Sequence, residues 1–139
     1  MFHRLSIFAW LFPGRYIRPH GIWDGFDLYE WSKSEYMWAS DGPFIWQDKV
    51  QLPAETIVRG TGDCDDYALV AASWAKRHGR DDVGLAICGH KRFGIPIVTH
   101  MIAVDESRVY SSGHIFDGSV DDWLAASDDY DFAWVRQSS

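Results

Sequence analysis

The chain has 139 residues, 47% of them hydrophobic and 24% charged, with a formal net charge of −7. That length and apolar content describe one domain, 1–139, with a real hydrophobic core, and they exclude a disordered chain. The acidic balance, with no run of Lys or Arg to offset it, excludes a surface built for nucleic acid.

The first apolar run, Leu5 to Phe12, follows a basic residue. It is short for a signal peptide, lacks a small-residue cleavage site and cannot span a bilayer. A core segment is expected there, and a cytoplasmic protein. Residues 1–45 mix aromatics with Gly and Pro without a clean period, so short helices and loops are expected, the best helix candidate being Leu28 to Trp38. The catalytic core is expected over 46–135. Pro53-Ala54-Glu55-Thr56 starts a short helix, with Pro where its missing N–H costs nothing, and the helix stops at Gly60.

Gly60-Thr61-Gly62-Asp63-Cys64-Asp65-Asp66 then makes a turn into an Ala-rich helix that runs towards Gly79. Cys64 falls in the first turn, beside unpaired N–H groups and the positive end of the helix dipole, which favour the thiolate nucleophile. The three neighbouring carboxylates act against that, and buried Cys is often an inert core residue. Cys64, Tyr67/Ala68, Ala71, Ala75 and His78 lay a narrow small-residue stripe on one helix face, so a central helix clasped by a sheet is expected. Cys88 is the second of only two cysteines, too few for a disulfide scaffold or a cysteine-built zinc site. Free thiols in a reducing compartment fit better.

Strand signals follow. Val83 to Cys88 and Ile95 to Val104 are apolar, β-branched runs, joined by a polar loop over Gly89 to Gly94. Asp105 to Ser107 reads as a turn and Arg108 to Ser111 as the start of a third strand. The fold class is therefore α+β, a central helix on an antiparallel meander. Six acids between Asp117 and Asp131, with no base among them, read as a solvated acidic face.

A cysteine nucleophile needs a base held in place. Of six histidines, His3 and His20 lie in the irregular block, and His78 is about 20 Å from the start of the Cys64 helix at 1.5 Å per residue. His90 sits in the expected loop and His114 near the end of the third strand. His100 is polar inside an apolar strand, a rigid position suited to a base; the alternative is a core histidine satisfied by a neighbour.

The segment Pro53 to Ala68, read as Pro-x-Glu-Thr and then Gly-x-Gly-Asp-Cys-Asp-Asp-Tyr-Ala, resembles the signature of bacterial transglutaminase-like cysteine peptidases. The resemblance covers about residues 46–112. It implies a papain-like arrangement in which a helix-start Cys meets a His and then an Asp on an antiparallel sheet. It implies acyl transfer at amide bonds of a protein or peptide, with no cofactor in the chemistry.

The third member departs from that pattern. A three-residue turn at Asp105 to Ser107 would pair Val104 with Arg108 and His100 with Ser112, so the family Asp would fall at Ser111 or Ser112. The chain contains no Asn to orient an imidazole instead. Asp117 is the nearest acid downstream and is the expected orienter, ahead of Ser112. The backbone N–H of Cys64 is the natural first oxyanion donor, with Trp46 and Gln47 as candidates for the second. Some relatives bind calcium through acids flanking the Cys; for Asp63, Asp65 and Asp66, helix capping and dipole complementation are the preferred roles, and no metal is assigned. Two other functions stay open: a binding module that has lost catalysis, and acyl transfer to an amine.

Overall fold

Where a helix is buried on every side, its outer polar groups must find partners in the chain that covers them. The central helix of this protein, α4 (Cys64–Arg77), is of that kind, with residues 64–73 all buried. The structure, a computed structural model, describes residues 6–38, 53, 56–57, 61–62 and 64–137.

Ahead of α4 come the short helices α1 (Ser6–Leu11) and α2 (Pro13–Tyr16), a 3₁₀ turn at Gly21–Trp23, and α3 (Leu28–Ser34), whose N-cap Asp27 accepts from Glu30 N–H. The helix expected over Leu28 to Trp38 ends early. Met37–Trp38 instead forms β1, paired in parallel with β2 (Thr61–Gly62), just before Cys64. Pro53, Thr56 and Ile57 are helical, where a short helix was expected.

This block covers the outer side of α4, which is why burial exceeds the single stripe the sequence suggested. Trp31 stacks on Tyr67 at 6.0 Å, and the Tyr67 hydroxyl meets Ser32 Oγ at 2.7 Å. Ser73 Oγ accepts from Arg18 N–H, and Trp74 Nε1 donates to the Phe26 carbonyl. Of the first apolar run, Ala9 is fully buried and Trp10 donates to the carbonyl of Trp134. The helix ends in a left-handed Gly79 (φ 91°), with Arg80 N–H reaching back to the Ala75 carbonyl. That is the glycine stop read from the sequence, in its Schellman form.

The sheet has five strands, all antiparallel, in the order β6-β5-β4-β3-β7. They are β3 (Gly84–Arg92), β4 (Ile95–Val104), β5 (Arg108–Ser111), β6 (His114–Asp117) and β7 (Phe132–Gln137). The polar loop expected over Gly89 to Gly94 is mostly strand: β3 continues to Arg92 and only Phe93-Gly94 turns, both at positive φ. A two-residue turn of that hand matches the twist of the flanking strands. Residues 88 to 100 are interrupted by a bulge, where Cys88 pairs with His100 but Gly89 with Val98.

Successive strand residues face opposite sides. On one side Leu85, Ile87, Met101, Ala103 and Tyr110 pack with Cys64 and the rest of α4 in a single core. On the other, Ala86, Cys88, Ile102, Val104 and Val109 form a second core. Its cover comes from the acidic segment. Ser119 and Asp122 close a capping box on α5 (Val120–Ala126), and Val120, Trp123 and Tyr130 pack onto the second core. The segment read as a solvated acidic face is therefore acidic outside, at Asp121 and Asp122, and aromatic inside.

Candidate active site

Cys64 is the first residue of α4 and is only 4% exposed. Burial pushes its thiol above the ordinary value, the reverse of the helix-start expectation. Hydrogen bonds from the backbone N–H groups of Met101 and Asp65 act in the lowering direction, and Asp66 adds to the rise. Desolvation of the thiolate outweighs the N–H groups of the helix start here. The Met101 contact matters for geometry: it sets the Cys64 sulfur against the backbone of β4 one residue on from His100.

His100 is buried in β4, and its Nε2 lies 2.8 Å from Ser111 Oγ on β5. Its ring stacks on Tyr130, with centroids 5.3 Å apart and planes at 14°. Burial drives its pKa down to about 4, so the imidazole is neutral at pH 7. If Nε2 carries the proton and donates to Ser111, Nδ1 holds the free lone pair, and among the described residues Nδ1 makes no hydrogen bond. Nor does a hydrogen bond join the Cys64 sulfur to the ring among those residues.

The side chain beside the His100 ring nitrogen is that of Ser111, and Asp117 is not brought to it. Asp117 closes β6 opposite Arg108 and is exposed, three strand residues from the level of Ser111, or about 10 Å. The reason is register. The chain turns back after Ser111, which pairs with His114, so β6 carries Asp117 to the Arg108 end. Val104 meanwhile pairs with Val109, not with Arg108, because the turn takes one residue more than counted, which places Ser111 and not Ser112 on the face of His100. Buried Asp105 shapes that turn by accepting from Ser107 N–H, Arg108 N–H and the Tyr110 hydroxyl. Ser112, the other candidate, sits in the next turn at φ 42° with its hydroxyl buried and unpartnered among the described residues.

Other expectations resolve by position. His78 is held at the far end of α4 by the Trp74 carbonyl. His90 is half-buried on β3, His20 and His114 are exposed, and His3 lies outside the described residues. Cys88 is buried in the second core and is free, as is Cys64. Asp65 and Asp66 stand in the first turn of α4, as a dipole role requires, but both are buried. Among the described residues no three His, Cys, Asp or Glu side chains cluster to hold a metal. Asp63, Trp46 and Gln47 lie outside those residues.

Sequence reasoning passed over Tyr130 and Trp123. Trp123 stacks on Tyr130 at 5.2 Å and 20°, and Tyr130 on His100, so the three rings lie in series. The available signal was the pair of large aromatics inside an otherwise acidic stretch. Chemically, the arrangement offers a thiol at a helix start, a neutral imidazole with one oriented nitrogen, and a dry surround. In comparisons with known proteins the chain matches no protein-family model and no curated protein.

Proposed function

We propose that this protein is a cysteine hydrolase acting on amide bonds of a protein or peptide, built on a transglutaminase-like, papain-like core. The observation that supports it most is a thiol at the start of a central helix, Cys64, whose sulfur lies against the backbone N–H of Met101 on β4, the strand that also carries His100, whose Nε2 meets Ser111. The chemistry needs no cofactor. Among the described residues no helix is long and apolar enough to cross a membrane. Two buried, free cysteines favour a reducing, cytoplasmic setting.

In this mechanism the pair starts neutral. The Cys64 sulfur adds to the amide carbonyl while its proton passes to His100 Nδ1, a transfer that requires the ring to turn from the second core to the α4 side of β4, and no thiolate waits in the resting protein. The backbone N–H of Cys64 faces the developing oxyanion. His100 returns the proton to the amine nitrogen as the C–N bond breaks and leaves a thioester. Water then adds to the thioester carbon, giving its proton to His100, and C–S cleavage restores the thiol. Ser111 fixes the tautomer without the charge that a carboxylate would set against the imidazolium.

A second reading, a binding module on the same fold, is favoured by the raised Cys64 thiol and by the lack of a carboxylate at His100 among the described residues. A thiol-directed suicide probe on Cys64→Ala and His100→Ala separates the two. The hydrolase requires that labelling disappear in Cys64→Ala and fall sharply in His100→Ala; labelling that persists in Cys64→Ala sinks it. Addition of a primary amine then distinguishes transfer from hydrolysis.

A further inference from the structure

We infer that Tyr130, backed by Trp123, is the positioning residue that sets the plane of the His100 ring. This rests on the hydrolase reading for its catalytic meaning, but not for its geometry. The ring of His100 has one hydrogen bond among the described residues, to the hydroxyl of Ser111. A serine hydroxyl turns about its own Cα–Cβ bond and accepts over a wide range of angles. One such contact anchors Nε2 and leaves the ring free to swing about that point. A carboxylate fixes a histidine more firmly, since it is larger, charged and itself held by other donors.

The aromatic stack supplies the missing restraint. The Tyr130 plane lies within 14° of the imidazole plane and the Trp123 plane within 20° of Tyr130. The face of the imidazole that Tyr130 covers cannot tilt without striking the second ring. Trp123 is carried by α5, whose capping box fixes the helix start, and Tyr130 follows α5 in a segment tied at Asp131 to Gly89 O and Lys91 N–H. Those bonds fasten the stack to β3 at the bulge beside His100. Both rings also pack on the second core, so they are held from behind.

The groups that face His100 are otherwise uncharged: Cys88 across the strand pair, Ser111 on β5 and Tyr130 above. Asp129 lies near the Tyr130 hydroxyl, whose pKa is pushed up to about 12, first by burial. Tyr130 therefore stays neutral and acts on the imidazole as a ring, through shape and exclusion of water.

The test uses Tyr130→Phe, which keeps the ring, and Tyr130→Leu, which keeps a large apolar side chain but removes the plane. Each is made in the wild-type chain and in Cys64→Ala, with a thermal melt to confirm folding. His100 is followed by NMR titration of its ring signals, and Cys64 by its rate of reaction with the suicide probe. The expected result is a His100 pKa that stays near its wild-type value in Tyr130→Phe and rises by a unit or more towards 6.5 in Tyr130→Leu. The probe rate should fall tenfold or more in Tyr130→Leu and change less than twofold in Tyr130→Phe. A folded Tyr130→Leu with wild-type titration overturns the inference, as does a Tyr130→Phe that behaves like Tyr130→Leu, since the hydroxyl would then be the active part. The titration in Cys64→Ala needs no activity. A ring that depends on Tyr130 in a protein whose wild type does not react with the probe would keep the positioning role and remove the hydrolase.

Discussion

His100 Nε2 and Ser111 Oγ stand 2.8 Å apart, a neutral hydroxyl at the place where a Cys-His site of the proposed kind would carry a carboxylate. The consequence is an imidazole with nothing to balance its charge. Replacement of Ser111 by Asp should raise the His100 pKa well above its value of about 4, because the carboxylate favours the imidazolium. The same change should speed the reaction of Cys64 with an electrophile at neutral pH. Ser111→Ala should slow it about tenfold and cost roughly 1–3 kcal/mol of stability by leaving a buried ring nitrogen unpaired. Ring NMR and urea melts check both arms; a Ser111→Asp titration identical to wild type would show that Ser111 does not face the ring.

The same burial makes a prediction about pH and stability. His100 has a folded pKa lowered to about 4 against about 6.5 when unfolded. Between those values the unfolded chain binds the extra proton, so stability rises with pH there. The stabilisation is complete above about pH 6.5 and is lost as pH falls towards 4, by up to about 3 kcal/mol. His100→Gln should remove that part of the slope. Urea unfolding of both proteins from pH 7.5 to 4 gives the difference directly, and parallel curves would contradict the burial of His100.

Cys64 should alkylate slowly in the folded protein below pH 9, because its thiol is both buried and raised. Its rate should climb with pH and jump on unfolding in urea. Mass spectrometry of the peptide after timed iodoacetamide treatment measures it. A fast reaction at pH 6 would mean a thiolate already present, and hence a resting ion pair in place of the neutral pair proposed.

Gly89 tests the bulge that sets the position of His100. A Cβ there would lie 1.8 Å from the Ile97 carbonyl oxygen, a backbone atom with nowhere to go. Gly89→Ala should therefore destabilise the fold by about 2 kcal/mol or more and disturb the His100–Ser111 contact. By contrast Gly94, at the hairpin tip with open space around it, should lose less on substitution, and only from its positive φ of 79°. Equal losses at the two sites would argue against the tight β3–β4 approach.

Some of this was legible in the chain alone. Residues 64–77 and 95–104 declare helix and strand through local chemistry: Ala content, a Gly stop, and β-branched runs act within a few residues of themselves. The same locality placed Cys64 at a helix start and His100 inside a strand. The turn Phe93-Gly94 was missed because aromatic and basic residues filled strand positions that face solvent, which looks like loop in one dimension. Strand β7 and helix α5 were missed because charge on the outer face hid Trp123, Tyr130 and Phe132 on the inner one.

What only the tertiary structure decided is the company each of these residues keeps. The partner of His100 turned on register: one extra residue in the turn held by Asp105 put Ser111 in place of Ser112 on the face of His100, and the return of β6 along β5 carried Asp117 to the far end of its strand. Side chains alternate with period two, so a shift of one residue moves every group to the other face. The state of Cys64 turned on burial, since desolvation acts through everything packed around a group and no local motif records it. By itself the sequence determined which residue types are able to do chemistry and, for Cys64 and His100, on which element each sits. Packing across 30 residues or more decided what Tyr130 lies against and what charge His100 carries, because those depend on distance through space and not along the chain.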